Sequence, residues 1–233
     1  VYIIVRACGE RTERECIKQA RKQGTVYVVR EHPFGESIRK TYELAIELNQ
    51  KWMPVIDADV ILSPGTLSKA VKWLDGQKKN VFCLDGKTKD KIMMSIRRAG
   101  IHIYRTSLLP DAMRYIDDSR VKPESHVRKS MEKHGYKTVV GGIVFGVHDY
   151  EQYYVDLWRK SVCQTKKLGG VIRKTNITKK WALLAKRDDD YRVILAAHNH
   201  GIKHASKIII DSRITYGAEE GIAALGLKEK GEM

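Results

Sequence analysis

The chain has 233 residues, 42% apolar and 30% charged, which suits one α/β domain or one domain with an appendage. Apolar residues recur in orderly blocks, which excludes a disordered chain, and no apolar run nears the roughly 20 residues that cross a bilayer. Forty-three Lys plus Arg against 28 Asp plus Glu leave +15, a balance that favours anionic partners: phosphorylated small molecules, nucleic acid or an acidic membrane surface.

Residues 1–7 (VYIIVRA) form a β-rich run. Thr12 followed by Glu15 makes a capping box, predicting a helix with Ile17 and Ala20 inward and a stop at Gly24. Residues 25–29 (TVYVV) predict the second strand. Residues 35–49 predict a helix with Ile38, Tyr42, Ala45 and Leu48 on one stripe. Residues 51–56 lead into Asp57-Ala58-Asp59, after which Ser63 and Pro64 open a helix reaching about residue 74. Residues 80–84 predict a strand, and residues 85–90 (DGKTKD) a loop that either meets a ligand or is an exposed connection. Short strands are expected at 101–104, 137–140 and 143–147, and helices at 108–116, 123–134 and 150–162. The rest is helical around 179–185 and 191–197, and the doublets Lys166-Lys167, Arg173-Lys174 and Lys179-Lys180 carry much of its charge. Such a basic surface suits peripheral contact with anionic lipid or a solvated face. Alternating strands and helices imply a mostly parallel sheet flanked by helices. Cys8, Cys16, Cys83 and Cys163 form no CxxC pair, so free thiols in a reducing, cytoplasmic setting are expected.

Asp57 and Asp59 follow an apolar strand at its carboxyl end, the edge where open α/β sheets bind ligands. Two carboxylates about 4 Å apart repel by about 4 kcal/mol at an effective dielectric of 20. A divalent cation relieves this, and oxygen ligands suit Mg²⁺ or Mn²⁺; the competing reading is a structural turn.

The ordered series 1–7, 25–30 and PVIDADVILSPGTL resembles the nucleotide-binding half of GT-A-fold, nucleotide-sugar-dependent glycosyltransferases, whose D-x-D motif lies at this point in the sheet. The resemblance covers roughly residues 1–160 and is sharp only at D-x-D. It implies a GT-A (Rossmann-like) catalytic domain over 1–165, with a nucleotide-binding half to about 85 and an acceptor half over 86–165. A helical C-terminal appendage would span 166–233. The activity implied is metal-dependent transfer of a sugar from a nucleotide-diphosphate-sugar donor to a glycan, lipid-linked or protein acceptor, on the inner face of a membrane or free in the cytoplasm.

The same resemblance implies roles for single residues. Asp57 meets ribose or metal, Asp59 the metal, and His148, after the strand 143–147, completes the coordination; a surface loop histidine is the alternative. Asp149 with Gln152 forms a capping box and already has a structural duty. Pro123 to Arg128 with Gly135-Tyr136 is similar to the family's E-D…R…G-Y segment, but Ser125 replaces its catalytic Asp. Glu124 becomes the candidate base, or the enzyme is a retaining one that needs none, or Glu124 only meets a helix dipole. Arg6, Arg11, Glu31 and Arg39 lie at the exits of the first two strands, where the resemblance places the nucleobase and phosphates, although Arg11 and Arg39 also suit helix surfaces.

Two rivals compete. VIDADVIL also resembles the first motif of haloacid-dehalogenase-type phosphatases, with Asp57 as nucleophile and Asp188-Asp189-Asp190 as metal ligands, yet two strand–helix units precede it here. A basic nucleic-acid-binding domain would explain the charge, but no zinc-finger spacing or RNP-like aromatic strand occurs, which disfavours nucleic acid as the partner.

Overall fold

The computed structural model describes residues 1–204, 208, 211 and 213–233; the side chains of Gly170, Arg173 and Lys174 also lie outside the described residues, and with them one of the basic doublets. The chain divides into two units: residues 1–91 with 95–150, and residues 92–94 with 151–233.

The first unit is built on strands β1 (Tyr2–Arg6), β2 (Thr25–Val29), β3 (Trp52–Asp57), β4 (Val60–Leu62), β5 (Val81–Asp90), β6 (Ser95–Arg105), β7 (Lys137–Val139) and β8 (Val144–His148). They form one sheet in the order β2-β1-β3-β6-β5-β8-β4, with β7 on β5. The parallel pairings expected from the strand–helix alternation are those of β1 with β2 and β3, and of β5 with β7 and β8. β6 runs antiparallel to β3 and β5, and β4 antiparallel to β8.

Successive strand residues point to opposite faces, and the two cores follow that period. Ile3, Val5 and Ile56 pack with Cys16 and Ala20 of α1 (Glu13–Arg21) and Leu67, Ala70 and Leu74 of α3 (Thr66–Asp75). Ile4 and Val55 face the other way, onto Ile38, Tyr42 and Ala45 of α2 (Phe34–Leu48), Leu109 and Ala112 of α4 (Leu109–Met113), and Val127 and Met131 of α5 (Pro123–Lys133). The result is an α/β/α sandwich.

Several local expectations are corrected. Residues 85–90 are not a loop: they continue β5, paired from Thr88↔Arg97 to Asp90↔Ser95, with a bulge between Asp85 and Lys87. A Cβ on Gly86 would lie 1.8 Å from Ile101 Cγ2, so only glycine fits this close approach. Ser63 does not cap α3. The segment Val60–Leu62 is a strand held by β8, and the helix starts three residues later, with Gly65 at φ +69 as its N-cap. Thr12 makes no side-chain cap; its hydroxyl donates to Ala58 O at 2.9 Å instead. Residues 150–153 are not helical, so Asp149 and Gln152 form no capping box, and Asp149 sits at φ +60.

The second unit contains α6 (Tyr154–Thr175), α7 (Ile177–Leu184), α8 (Asp189–Lys203) and α9 (Ala218–Ala224). A non-helical Leu168 (φ -133) interrupts α6. Ile92, Leu157, Trp158, Trp181, Val193, Ile194 and Ile222 share its core, and Trp181 Nε1 donates to Ile92 O at 2.7 Å. The backbone N–H groups of Tyr154 and Val155 donate to the Glu229 carboxylate at 2.6 and 2.8 Å, capping the start of α6. Among the described residues no helix is long and apolar enough to cross a membrane.

Candidate active site

The turn after β3 separates the two aspartates. Ala58 N donates to Arg6 O and Thr12 holds Ala58 O, so this turn is tied to β1 and α1. Asp57 ends β3 beside Arg6 at the end of β1, and its Oδ1 accepts from Arg6 Nε at 2.9 Å. Asp59 points elsewhere, with Oδ1 3.4 Å from His148 Nε2. The expected group Asp57, Asp59 and His148 is therefore not assembled as such. Asp59 and His148 meet, Asp57 pairs with arginine, and the third residue whose ligand atom joins them is Asp149, all within 4.8 Å of one another. The adjacency of His148 and Asp149 was the available sequence signal, masked by the cap assigned to Asp149.

Two oxygens and one imidazole nitrogen form a donor set suited to Mn²⁺ or Mg²⁺. His148 Nδ1 faces Asp149 Oδ2 at 3.0 Å and Asp90 Oδ2 at 3.1 Å, which turns Nε2 toward Asp59. A ring held this way through its second nitrogen is the usual arrangement of a metal-ligating histidine. Burial opposes charge on His148, but Asp149 and Asp59 outweigh it and raise its pKa well above the ordinary value. Asp59, Asp90 and Asp149 bring three carboxylates around one imidazole, with Arg97 2.7 Å from Asp90. The residues fit a divalent cation.

Gly100 on β6 packs against this group at φ +69, where a Cβ would lie 2.5 Å from Val60 Cγ2 and 2.8 Å from His148 Cδ2. Gly100→Ala is expected to cost about 1–3 kcal/mol of stability and to weaken Mn²⁺ binding. Urea denaturation and calorimetric Mn²⁺ titration check this; unchanged values in both would show that the ring is not held there.

Beside Asp57 lies a buried polar network. Arg6 NH1 donates to Glu124 Oε1 at 2.9 Å, Tyr104 OH to the same oxygen at 2.6 Å, and His102 Nε2 lies 2.9 Å from Oε2. His102 Nδ1 lies 3.3 Å from Asp85 Oδ1, and Arg128 comes within 3.7 Å of Asp85 Oδ2 and donates to Ser125 Oγ at 3.3 Å. Burial opposes ionisation of Glu124, yet Arg6 and then His102 hold its carboxyl well below the usual range. Burial likewise disfavours charge on Arg6 and His102, and in each case the facing carboxylates prevail, raising the pKa. Both ring nitrogens of His102 face carboxylates, which favour an imidazolium, and the Arg128 guanidinium 3.3 Å from the ring opposes it.

This geometry sets a pH dependence. His102 is raised in the fold, so its contribution is complete below about 6.5 and is lost as pH rises through the folded value. Relative to wild type, His102→Gln is expected to remove a downward slope of up to about 1.4 kcal/mol per pH unit above that point. The groups facing His102 are Glu124, Asp85, Arg128, Cys83 and Tyr104. Parallel stability–pH curves for the two proteins would contradict the imidazolium.

Of the other expected donor residues, Arg11 is half-buried, Glu31 is exposed, and Arg39 on α2 is half-buried and paired with Glu36 at 3.3 Å. The exits of β1 and β2 are adjacent: Cys8 Sγ lies 4.0 Å from His32 Nδ1, and Arg30 pairs with Glu13. In the second unit Asp188 accepts from Asp190 N as the cap of α8, Asp189 pairs with Arg192, and Asp190 with Lys230, duties unlike the ligand roles of the phosphatase reading.

No protein-family model matches the chain, and no curated protein matches it. Solved structures similar to it include a mannosyltransferase from Pyrobaculum calidifontis in complex with GDP-mannose and Mn²⁺, at 13% identity over 97% of this chain and 80% of that one, TM-score 0.49. A glycosyltransferase involved in glycosylating the major capsid of PBCV-1 is 12% identical over 63% and 91%, TM-score 0.42. A cytidylyltransferase from Leptospira borgpetersenii is 14% identical over 75% and 94%, TM-score 0.41.

Proposed function

We propose that the protein is a metal-dependent glycosyltransferase of the GT-A kind, using a nucleotide-diphosphate-sugar donor. The observation that carries this reading is the convergence of Asp59, His148 and Asp149 next to the strand end that bears Arg6 and Asp57. Asp59, His148 and Asp149 would hold Mn²⁺ or Mg²⁺, which supplies electrostatic stabilisation to a departing diphosphate. Asp57 engages Arg6 through Oδ1 and is partly exposed, and its carboxylate would accept from a donor ribose hydroxyl. Arg11, Glu31 and Arg39 are assigned to the nucleobase side, where the loops after β1 and β2 run together.

Glu124 is assigned the role of anchor. Its two oxygens already accept from Arg6, Tyr104 and His102, and the cations around it reduce its basicity, so it fixes Arg6 and, through it, Asp57. A thermal-shift panel of nucleotide sugars with and without Mn²⁺ tests the reading. Stabilisation by one nucleotide series, greater with Mn²⁺, is expected; no stabilisation by any would defeat it.

A further inference from the structure

The donor and metal chemistry occupy the first unit, and a long basic stretch of the second has no part in it. Residues 166–187 carry eight Lys or Arg and no Asp or Glu. They run from the last part of α6, across its non-helical Leu168, through α7. On α7, Ile177 and Trp181 are buried in the helical core, and Trp181 Nε1 donates to Ile92 O. At about 100° per residue, Lys179 stands about 200° from Ile177 and Leu183 about 200° from Trp181, so both point away from that core. Lys179 and Lys180 are exposed, and Leu183 is 62% exposed. The two lysines precede Leu183 by four and three residues, so the helix itself sets them beside it. Lys186 and Arg187, also exposed, follow in a turn where Arg187 N donates to Leu184 O at 3.0 Å. The carboxylates next in sequence have other duties: Asp188 caps α8, Asp189 pairs with Arg192, and Asp190 with Lys230. On the adjoining end of α6, Val171 is 46% exposed, while Ile172 beside it is buried.

We infer that this outer face of α7 docks on the anionic surface of a lipid bilayer, with Leu183 entering the headgroup boundary and the cations around it meeting lipid phosphates. An exposed leucine flanked by lysines fits such an interface: the apolar side chain reaches the acyl boundary while long basic side chains extend to the headgroups. A surface of one sign, with no carboxylate in its own segment, complements a surface of the other. Charge alone would suit nucleic acid equally, and the side chains among the cations favour lipid. The exposed apolar ones, Leu183 and Val171, are aliphatic, and Trp181, the one aromatic residue of the segment, is buried, so no base finds a ring to stack on.

The test is co-sedimentation of the full chain with vesicles of phosphatidylglycerol mixed with phosphatidylcholine, against vesicles of phosphatidylcholine alone. Binding to the anionic vesicles only is expected, weakening as salt is added. The double variant Lys179→Glu, Lys180→Glu should bind them about thirtyfold more weakly or worse. Leu183→Ser, which leaves the charge untouched, should weaken binding about fivefold or more. The replaced side chains are exposed, so the urea midpoints of both variants should match wild type. Equal binding to the neutral vesicles, or undiminished binding by either variant, would overturn the inference. A short oligonucleotide that binds through the same lysines and displaces the vesicles, with Leu183→Ser indifferent, would overturn it by giving the face to nucleic acid. Vesicle binding is read without donor or metal, so its failure is distinct from failure of the transferase reading.

Discussion

Asp59→Asn is expected to abolish the extra stabilisation that Mn²⁺ gives in the presence of nucleotide, and to lower sugar transfer by about two orders of magnitude or more. The carboxylate lies 3.4 Å from His148 Nε2, and its backbone oxygen accepts from Asp149 N at 3.0 Å. The amide keeps the shape and that backbone bond but removes the charge a cation requires. Because the side chain is buried yet closely isosteric, the midpoint of thermal unfolding without metal should move by only about 2 °C. Retention of Mn²⁺-dependent transfer by this variant would take Asp59 out of the metal group and leave the proposed function without its central residue.

Arg6→Met should produce the largest loss of stability. The guanidinium is buried and bonds to both Asp57 and Glu124, so its removal takes the cation from the buried Glu124 carboxylate and from the partly exposed Asp57. Breaking such a buried pair from one side costs about 3–5 kcal/mol, which urea denaturation reads directly. Glu124→Gln in the Arg6→Met background should recover part of that loss, since one of the stranded charges is then gone. If Arg6→Met cost less than about 1 kcal/mol, the value of an ordinary surface pair, the network would not be holding Asp57, and its role as a fixed ribose acceptor would fail as well.

The sheet was legible where one residue's pattern suffices. Ile3 and Val5 against Ile4 alternate between the two cores, and the stripe of Ile38, Tyr42 and Ala45 on α2 is buried as its spacing predicts. The β5–β6 hairpin was not legible, because DGKTKD has no apolar alternation; its strand character comes from pairing with β6 and from the bulge at Gly86. Local capping rules failed where long-range partners compete for the same group: Thr12 gives its hydroxyl to Ala58, and Asp149 turns its carboxylate to His148.

The same limit governs the site. Asp59 and His148, singled out by their places in the strand series, do meet, whereas the pairing of Asp57 with Arg6 had no signal in the D-x-D spacing. His102, Tyr104, Arg97 and Asp90 gave no signal, since each acquires its role only by facing a residue distant in the chain.

Ile92 and Met93, at the tip between β5 and β6, are counted in the helical unit, where both are buried and Trp181 donates to the carbonyl of Ile92. Cutting the chain after residue 150 would therefore not yield an autonomous helical fragment, because the excised piece would lack part of its own interior. On the ribosome that portion emerges early and must wait for its partners until α6–α9 have been synthesised.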